Sequence, residues 1–352
     1  MISAFRPPPR SCRNIAETLT LAGAGGIAFT LLGVPAGYLS GSIAFVASAA
    51  LAGRPMYVPT PAVRILFVLI GISLGSVVTP ATINGLSDYP LSLTMLLAST
   101  IAMSVAGTSY LKFVHKFDGT TAYLSAVPGG MAQVMVLAFE CKADARAVAI
   151  VQTVRVIVLS IALPATFAIL GLADGTPIST RNAFQLSQPG ELAILTLVST
   201  LTAALAHRAR FPGGLLFGAM LASAALHGSG LIDVTLPSGV QYVVMIAFGA
   251  VAGARFSNTS WSQLKCYFGA AIGTLLLTTI IAASFAGALL PILAVPTAQM
   301  MVAFAPGASD GMMLLALALH LDPIYVGAHH LVRVFFVMGV TPLILRFLRR
   351  GR

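Results

Sequence analysis

Uncharged apolar stretches such as Pro90–Ser109, Phe268–Pro291 and Val334–Leu345 recur along the whole chain. A helix needs about 20 consecutive apolar residues to cross the ~30 Å hydrocarbon core of a bilayer. In that solvent only helices and closed barrels satisfy their own backbone polar groups. A barrel would read as alternating segments of about ten residues, and no such segments are present. Charged residues make up only 9% of the 352, too few to cover a water-facing surface when a soluble domain carries about 25%. The expected fold class is an all-α integral membrane protein.

The net charge of +10 would point to nucleic acid in a soluble chain. Here the Lys and Arg residues sit in short loops, where they set topology by staying cytoplasmic. No nucleic-acid partner is therefore expected. The three cysteines, Cys12, Cys141 and Cys266, have neither metal-ligand nor disulfide spacing. Arg6, Arg10 and Arg13 precede an apolar stretch as in a signal peptide. No A-x-A-type site follows, so the stretch reads as a first membrane helix.

The chain repeats itself. Shifted by 178 residues, Pro128-Gly129 falls on Pro306-Gly307, Asp144 on Asp322, Val154-Arg155-Val156 on Val332-Arg333-Val334, and Pro164 on Pro342. From 128 to 164 the ungapped match has 11 identities in 37 positions. Upstream, Gly71-x-x-x-Gly75 meets Gly249-x-x-x-Gly253, and Gly37-x-x-x-Gly41 meets Gly214-x-x-x-Gly218 one residue out of step. The division is a cytoplasmic tail 1–17, a first repeat 18–172, a polar linker 173–189 and a second repeat 190–352. Six apolar elements fall in each repeat: 18–34, 36–53, 62–80, 88–111, 120–142 and 144–170, then 190–206, 212–228, 239–256, 264–290, 296–320 and 323–347. The paired small-xxx-small motifs read as close helix packing.

The fifth element of each repeat is broken by Pro-Gly, and neither residue suits a helix interior. If each broken element re-enters the membrane, 17 of the 20 Lys and Arg lie on the cytoplasmic side and only Arg181 outside, with Arg155 and Arg333 inside helices. If it crosses, six of them move outside. The positive-inside rule favours re-entry. Five crossings per repeat turn the second copy upside down. The expected architecture is two inverted repeats with about 10 transmembrane helices and two Pro-Gly-broken re-entrant elements, both termini cytoplasmic. Interrupted helices in inverted repeats are a transporter arrangement, with the site near the midplane.

The candidate substrate-binding residues cluster at those breaks. Pro128, Gly129, Gly130, Pro306 and Gly307 form the broken backbone, with Gln133, Ser309 and Asp310 just beyond it. Arg155 and Arg333 lie about 16 Å along the next helices at 1.5 Å per residue. A mid-membrane arginine there is either functional or bonded to the carbonyls the breaks expose. Gln152, His329 and His330 share its helix face. Asp310 reads as a helix cap or as a seat for a cation or proton, while the first break, neutral there, suits an anion. Asp144 and Asp322 read as N-caps, Asp322 ahead of Pro323.

The segments "LSAVPGGMAQVMVLA", "ADARAVAIVQTVRVIVLSIALP" and "APGASDGMMLLALAL…DP…VGAHHLVRVFFVMGVTP" resemble the membrane AbrB family, internally duplicated bacterial proteins distinct from the soluble DNA-binding protein of that name. Its members are labelled ammonia monooxygenase or regulator of gene expression. An oxygenase needs a metal set, and only His329 and His330 of the six histidines lie deep, without a carboxylate cluster beside them. No enzymatic activity, metal or cofactor is expected. The expected function is secondary transport of a small anionic solute across the bacterial inner membrane, with a proton or sodium as coupling ion and any effect on gene expression indirect. The alternative is a membrane sensor that signals without transport. The bilayer and the solute are the expected partners, with room for a homodimer.

Overall fold

The computed structural model describes residues 12–34, 36–76, 78, 89–129, 131–172, 188–209, 211 and 213–350. They are mostly helical, with no strand among the described residues. The helices are α1 Cys12–Leu31, α2 Gly37–Leu51, α3 Thr60–Gly75, α4 Tyr89–Phe113, α5 Gly119–Ala126, α6 Met131–Glu140 and α7 Ala145–Ile169. The series continues with α8 Pro189–Arg208, α9 Gly214–Gly228, α10 Ser238–Gly253, α11 Trp261–Leu289, α12 Thr297–Phe304, α13 Ser309–Ala318 and α14 Pro323–Arg350. Six helices among the described residues are long and apolar enough to cross a membrane. Helices α2, α3, α9 and α13 are apolar but shorter.

Helix positions recur along the chain. Helices α5, α6 and α7 begin at 119, 131 and 145, and α12, α13 and α14 at 297, 309 and 323, each 178 residues later. The expected elements 120–142 and 296–320 are each split in two, α5 from α6 and α12 from α13. Helix α1 starts six residues before the expected position 18. Within its first turns Asn14 and Thr18 are buried, Thr18 Oγ1 donating to Asn14 O at 2.6 Å, and Glu17 meets Arg54 at 2.6 Å.

The described residues form two compact units, each drawing helices from both halves of the chain. The first gathers α1–α3 and α8–α10. Its helices cross on glycine. A Cβ on Gly41 would sit 2.1 Å from Gly25 O; one on Gly71 would sit 2.3 Å from Leu216 O, and one on Gly249 2.4 Å from Ser42 Cβ. Any side chain there forces backbones apart, which is why the small-xxx-small pairs recur on these faces. Ser223 Oγ donates to Ile72 O at 2.9 Å, so α9 is also bonded to α3.

The second unit holds α4–α6, α11, α12, the first turn of α13, and most of α7 and α14. Every described candidate site residue from the sequence falls in this unit. Its apolar core joins Tyr123, Leu124 and Val127 to Val134, Ala138, Val148 and Val337.

Candidate functional site

Each Pro-Gly break is a helical hairpin. Asp118 caps α5, its carboxylate accepting from Thr120 N and Thr121 N. The Asp144 N–H donates to Thr121 Oγ1 at 2.9 Å, so the far end of the hairpin returns beside its start. In the second hairpin the Tyr325 hydroxyl of α14 contacts Met300 Sδ of α12 at 3.3 Å, bringing the first turn of α14 beside α12. The Tyr267 hydroxyl of α11 donates to Asp144 Oδ2 at 3.0 Å, placing the mouth of the first hairpin beside the N-terminal end of α11. The second hairpin begins at Thr297, beyond the C-terminal end of α11 at Leu289. The two mouths therefore lie toward opposite ends of α11, a helix of 29 residues and about 43 Å.

Proline creates the breaks. A residue before proline is driven out of the helical region. Val127 has φ −58° and ψ 127°, and Ala305 has φ −53° and ψ 135°. Four residues before each proline a carbonyl loses its helical donor, because proline has no N–H. Those carbonyls are Leu124 O and Val302 O. Gln152 Nε2 donates to Leu124 O at 2.7 Å, and His330 Nε2 lies 3.2 Å from Val302 O. The carbonyls at the ends of the first limbs are taken by arginine. Arg155 donates to Ala126 O at 2.9 Å and Val127 O at 3.2 Å; Arg333 donates to Phe304 O at 3.3 Å and Ala305 O at 2.8 Å. All four side chains are buried, with at most 2% exposure. A buried unsatisfied carbonyl costs about 1–3 kcal/mol, so these four residues hold the broken backbone together. Of the two readings of the arginines, carbonyl bonding is what the geometry displays.

The halves differ in detail. Arg333 Nη2 also donates to His330 Nδ1 at 2.5 Å. Arginine has no acceptor, so His330 carries its proton on Nε2 and gives it to Val302 O. His329 has the other tautomer: Nδ1 donates to Tyr325 O at 2.7 Å, leaving Nε2, at 2.9 Å, to accept from the Ser92 hydroxyl of α4. In the first half Arg155 Nε is buried without a partner.

Pro128, Pro306 and Gly307 are buried, while Gly129, Ser309 and Asp310 are half-buried. Asp310 is the second residue of α13, inside its first turn, where a carboxylate complements the helix dipole. Gly130 and the Gln133 side chain lie outside the described residues. Asp144 and Asp322 are caps: Asp144 Oδ1 accepts from Arg146 N and Ala147 N, and Asp322 Oδ1 from Ile324 N at 2.8 Å. A Cβ on Gly129 would lie 2.9 Å from Val337 Cγ1, so α14 of the second half presses on the tip of the first hairpin. Beside it the Tyr123 hydroxyl and Thr341 Oγ1 are 3.0 Å apart. Sequence reading missed Ser92, Tyr123, Tyr267 and Thr341. The signal for Leu124 was present, since Pro128 lies four residues on.

The family model described as "Transition state regulatory protein AbrB" matches residues 38–349. The chain belongs to the AbrB family. Two curated relatives align over nearly their full lengths. "Uncharacterized protein YhjN" of Bacillus subtilis is 23% identical over 354 residues, covering 94% of this chain and 92% of the relative. "Putative regulator AbrB" of Escherichia coli is 23% identical over 329 residues, covering 92% of each. The match takes in both Pro-Gly breaks and both arginines and leaves α1 outside it.

Proposed function

We propose that the protein is a secondary transporter of the bacterial inner membrane that carries a small anionic solute at the paired hairpins. The observation behind this reading is the hairpin geometry. The limbs α5 and α6 have 8 and 10 residues, hence lengths of about 12 and 15 Å at 1.5 Å per residue. Such limbs reach halfway through a ~30 Å hydrocarbon core and return. With mouths at opposite ends of α11, the two tips approach the midplane from opposite faces. Non-helical backbone is tolerated there only inside protein or beside a polar cavity, and inverted repeats with interrupted helices place solute sites at that depth. The proposal has ten crossings, both termini cytoplasmic and no reaction catalysed.

Two experiments test this. Purified protein in liposomes should carry some member of a panel of labelled small organic anions, and no flux for any member would remove the transport reading. A Cys placed at Arg181 should be labelled from outside, and one at Lys116 or Arg208 should not; outside labelling at Arg208 would overturn the inverted topology. The printed name of the Escherichia coli relative favours a second reading, a sensor that binds the solute and signals to a partner. Binding without flux would select it.

A further inference from the structure

We infer that His330 is a proton-binding switch that couples a proton to anion binding at Arg333. The inference deepens the transport reading and rests on it for its biological use. Gln152 and His330 occupy equivalent places and perform the same backbone task, each donating to the carbonyl that a proline leaves without a partner. Only the imidazole can titrate. Its Nε2–H holds Val302 O, and its Nδ1 lone pair holds Arg333 Nη2. A proton arriving from water lands on that lone pair. The Nε2 bond survives, so the broken helix end stays satisfied. The Nδ1–Arg333 bond is lost, because both atoms then carry hydrogen. Arg333 keeps its bonds to Phe304 O and Ala305 O through Nη1 and presents Nη2 to a ligand.

The surrounding charges make the coupling strict. On the same helix His330 faces Arg333 and His329. Helix α12 offers it only the Val302 carbonyl and contains no ionisable residue. From α7, Arg155 lies near enough to act on Arg333 through its charge. Asp310 is the acid in the first turn of α13. A proton on His330 adds a third positive charge to two buried guanidinium groups, which low dielectric penalises strongly. An anion between them cancels that penalty. The freed Arg333 Nη2 is its donor, and the buried Arg155 Nε has no hydrogen-bond partner of its own. Anion and proton thus promote each other's binding, and linkage makes the effect reciprocal. The ligand class is a small anion taken up with a proton; sodium prefers oxygen ligands and has no use for the imidazole lone pair.

The test uses the full chain in lipid nanodiscs with a soluble pH dye, and acetate, succinate and inorganic phosphate as probes. In the wild type, binding of a probe should draw in about one proton per anion. His330→Gln, which copies Gln152 and keeps the bond to Val302 O, should bind the same probe about 5- to 150-fold more weakly, without proton uptake. Anion binding with no proton uptake in the wild type, or uptake that survives His330→Gln, overturns the switch and leaves the transport reading intact. If no probe binds, 15N spectra of the arginine and histidine side chains decide alone. Along an acid titration, the Arg333 Nη signals should move with the His330 ring in the wild type and stay fixed in His330→Gln. A His330 ring that does not titrate, or that titrates while Arg333 stays fixed, overturns the proposal.

Discussion

The two hairpins are built alike and finished differently. In both, the residue before proline is extended, an arginine from the following helix takes two carbonyls, and the residue three places before it serves the carbonyl that proline orphans. The first uses an amide and leaves Arg155 Nε open; the second uses an imidazole and draws Arg333 into an extra bond. What must be duplicated is the repair of the backbone, because every Pro-Gly break strands the same carbonyls. What is free to diverge is the chemistry left over once the repair is made.

The largest expected effect comes from the arginines. Arg155→Ala strands two carbonyls, and Arg333→Ala strands two carbonyls and His330 Nδ1. At about 1–3 kcal/mol for each buried acceptor, Arg333→Ala should be the more destabilised by roughly one such step in thermal unfolding. Equal losses would mean the histidine contact adds nothing to the fold.

Next come the tips. A methyl on Gly129 meets the branched Val337 Cγ1 at 2.9 Å, whereas one on Gly307 meets the flexible Met312 thioether at 2.8 Å. Overpacking costs about 1–3 kcal/mol, and Gly129→Ala should lie at the upper end with Gly307→Ala below it; the reverse order would show that the tips are packed differently. The bulkier Gly129→Leu and Gly307→Leu should stop flux, and normal flux in both would move the site away from the tips.

Of the same order, Gln152→Leu strands Leu124 O and should cost about 1–3 kcal/mol. Gln152→His should restore that bond and remain near wild-type stability; failure to do so would show that the two sites are not interchangeable. The smallest of these terms is the dipole part of Asp310→Asn. A carboxylate in the first turn of a helix contributes about 0.3–1 kcal/mol through the dipole. A double-mutant cycle with Arg333→Ala separates this from a direct pair: additivity within about 0.5 kcal/mol places the two residues out of contact.

Much of the second unit was legible in the sequence. The 178-residue offset, the two Pro-Gly breaks and the arginine beyond each carry local signals, and proline chemistry alone marks which carbonyls need donors. Helix ends followed from capping, as at Asp144 and Asp322. The bonds of Tyr123 with Thr341, Tyr267 with Asp144 and His329 with Ser92 join residues 218, 123 and 237 apart. A single sequence holds no local trace of such pairings. Nor does it reveal that the compact units exchange helices between the halves, since a crossing on glycine looks the same whichever helix is the partner. The choice between a functional and a structural arginine stayed open because both require the same burial.

The arginine repair also sets a schedule for synthesis. Ala126 O waits for Arg155, 29 residues further along the chain. At about 5–20 residues per second, the ribosome needs roughly 1.5–6 s to deliver it. During that interval the end of the first limb has exposed carbonyls and no chain donor, and lipid tails supply none. In the proposed membrane placement, the half-made hairpin needs water at these carbonyls until α7 has emerged. Each half encodes its own late-arriving donor, so the carbonyls of each hairpin are satisfied from within the same half.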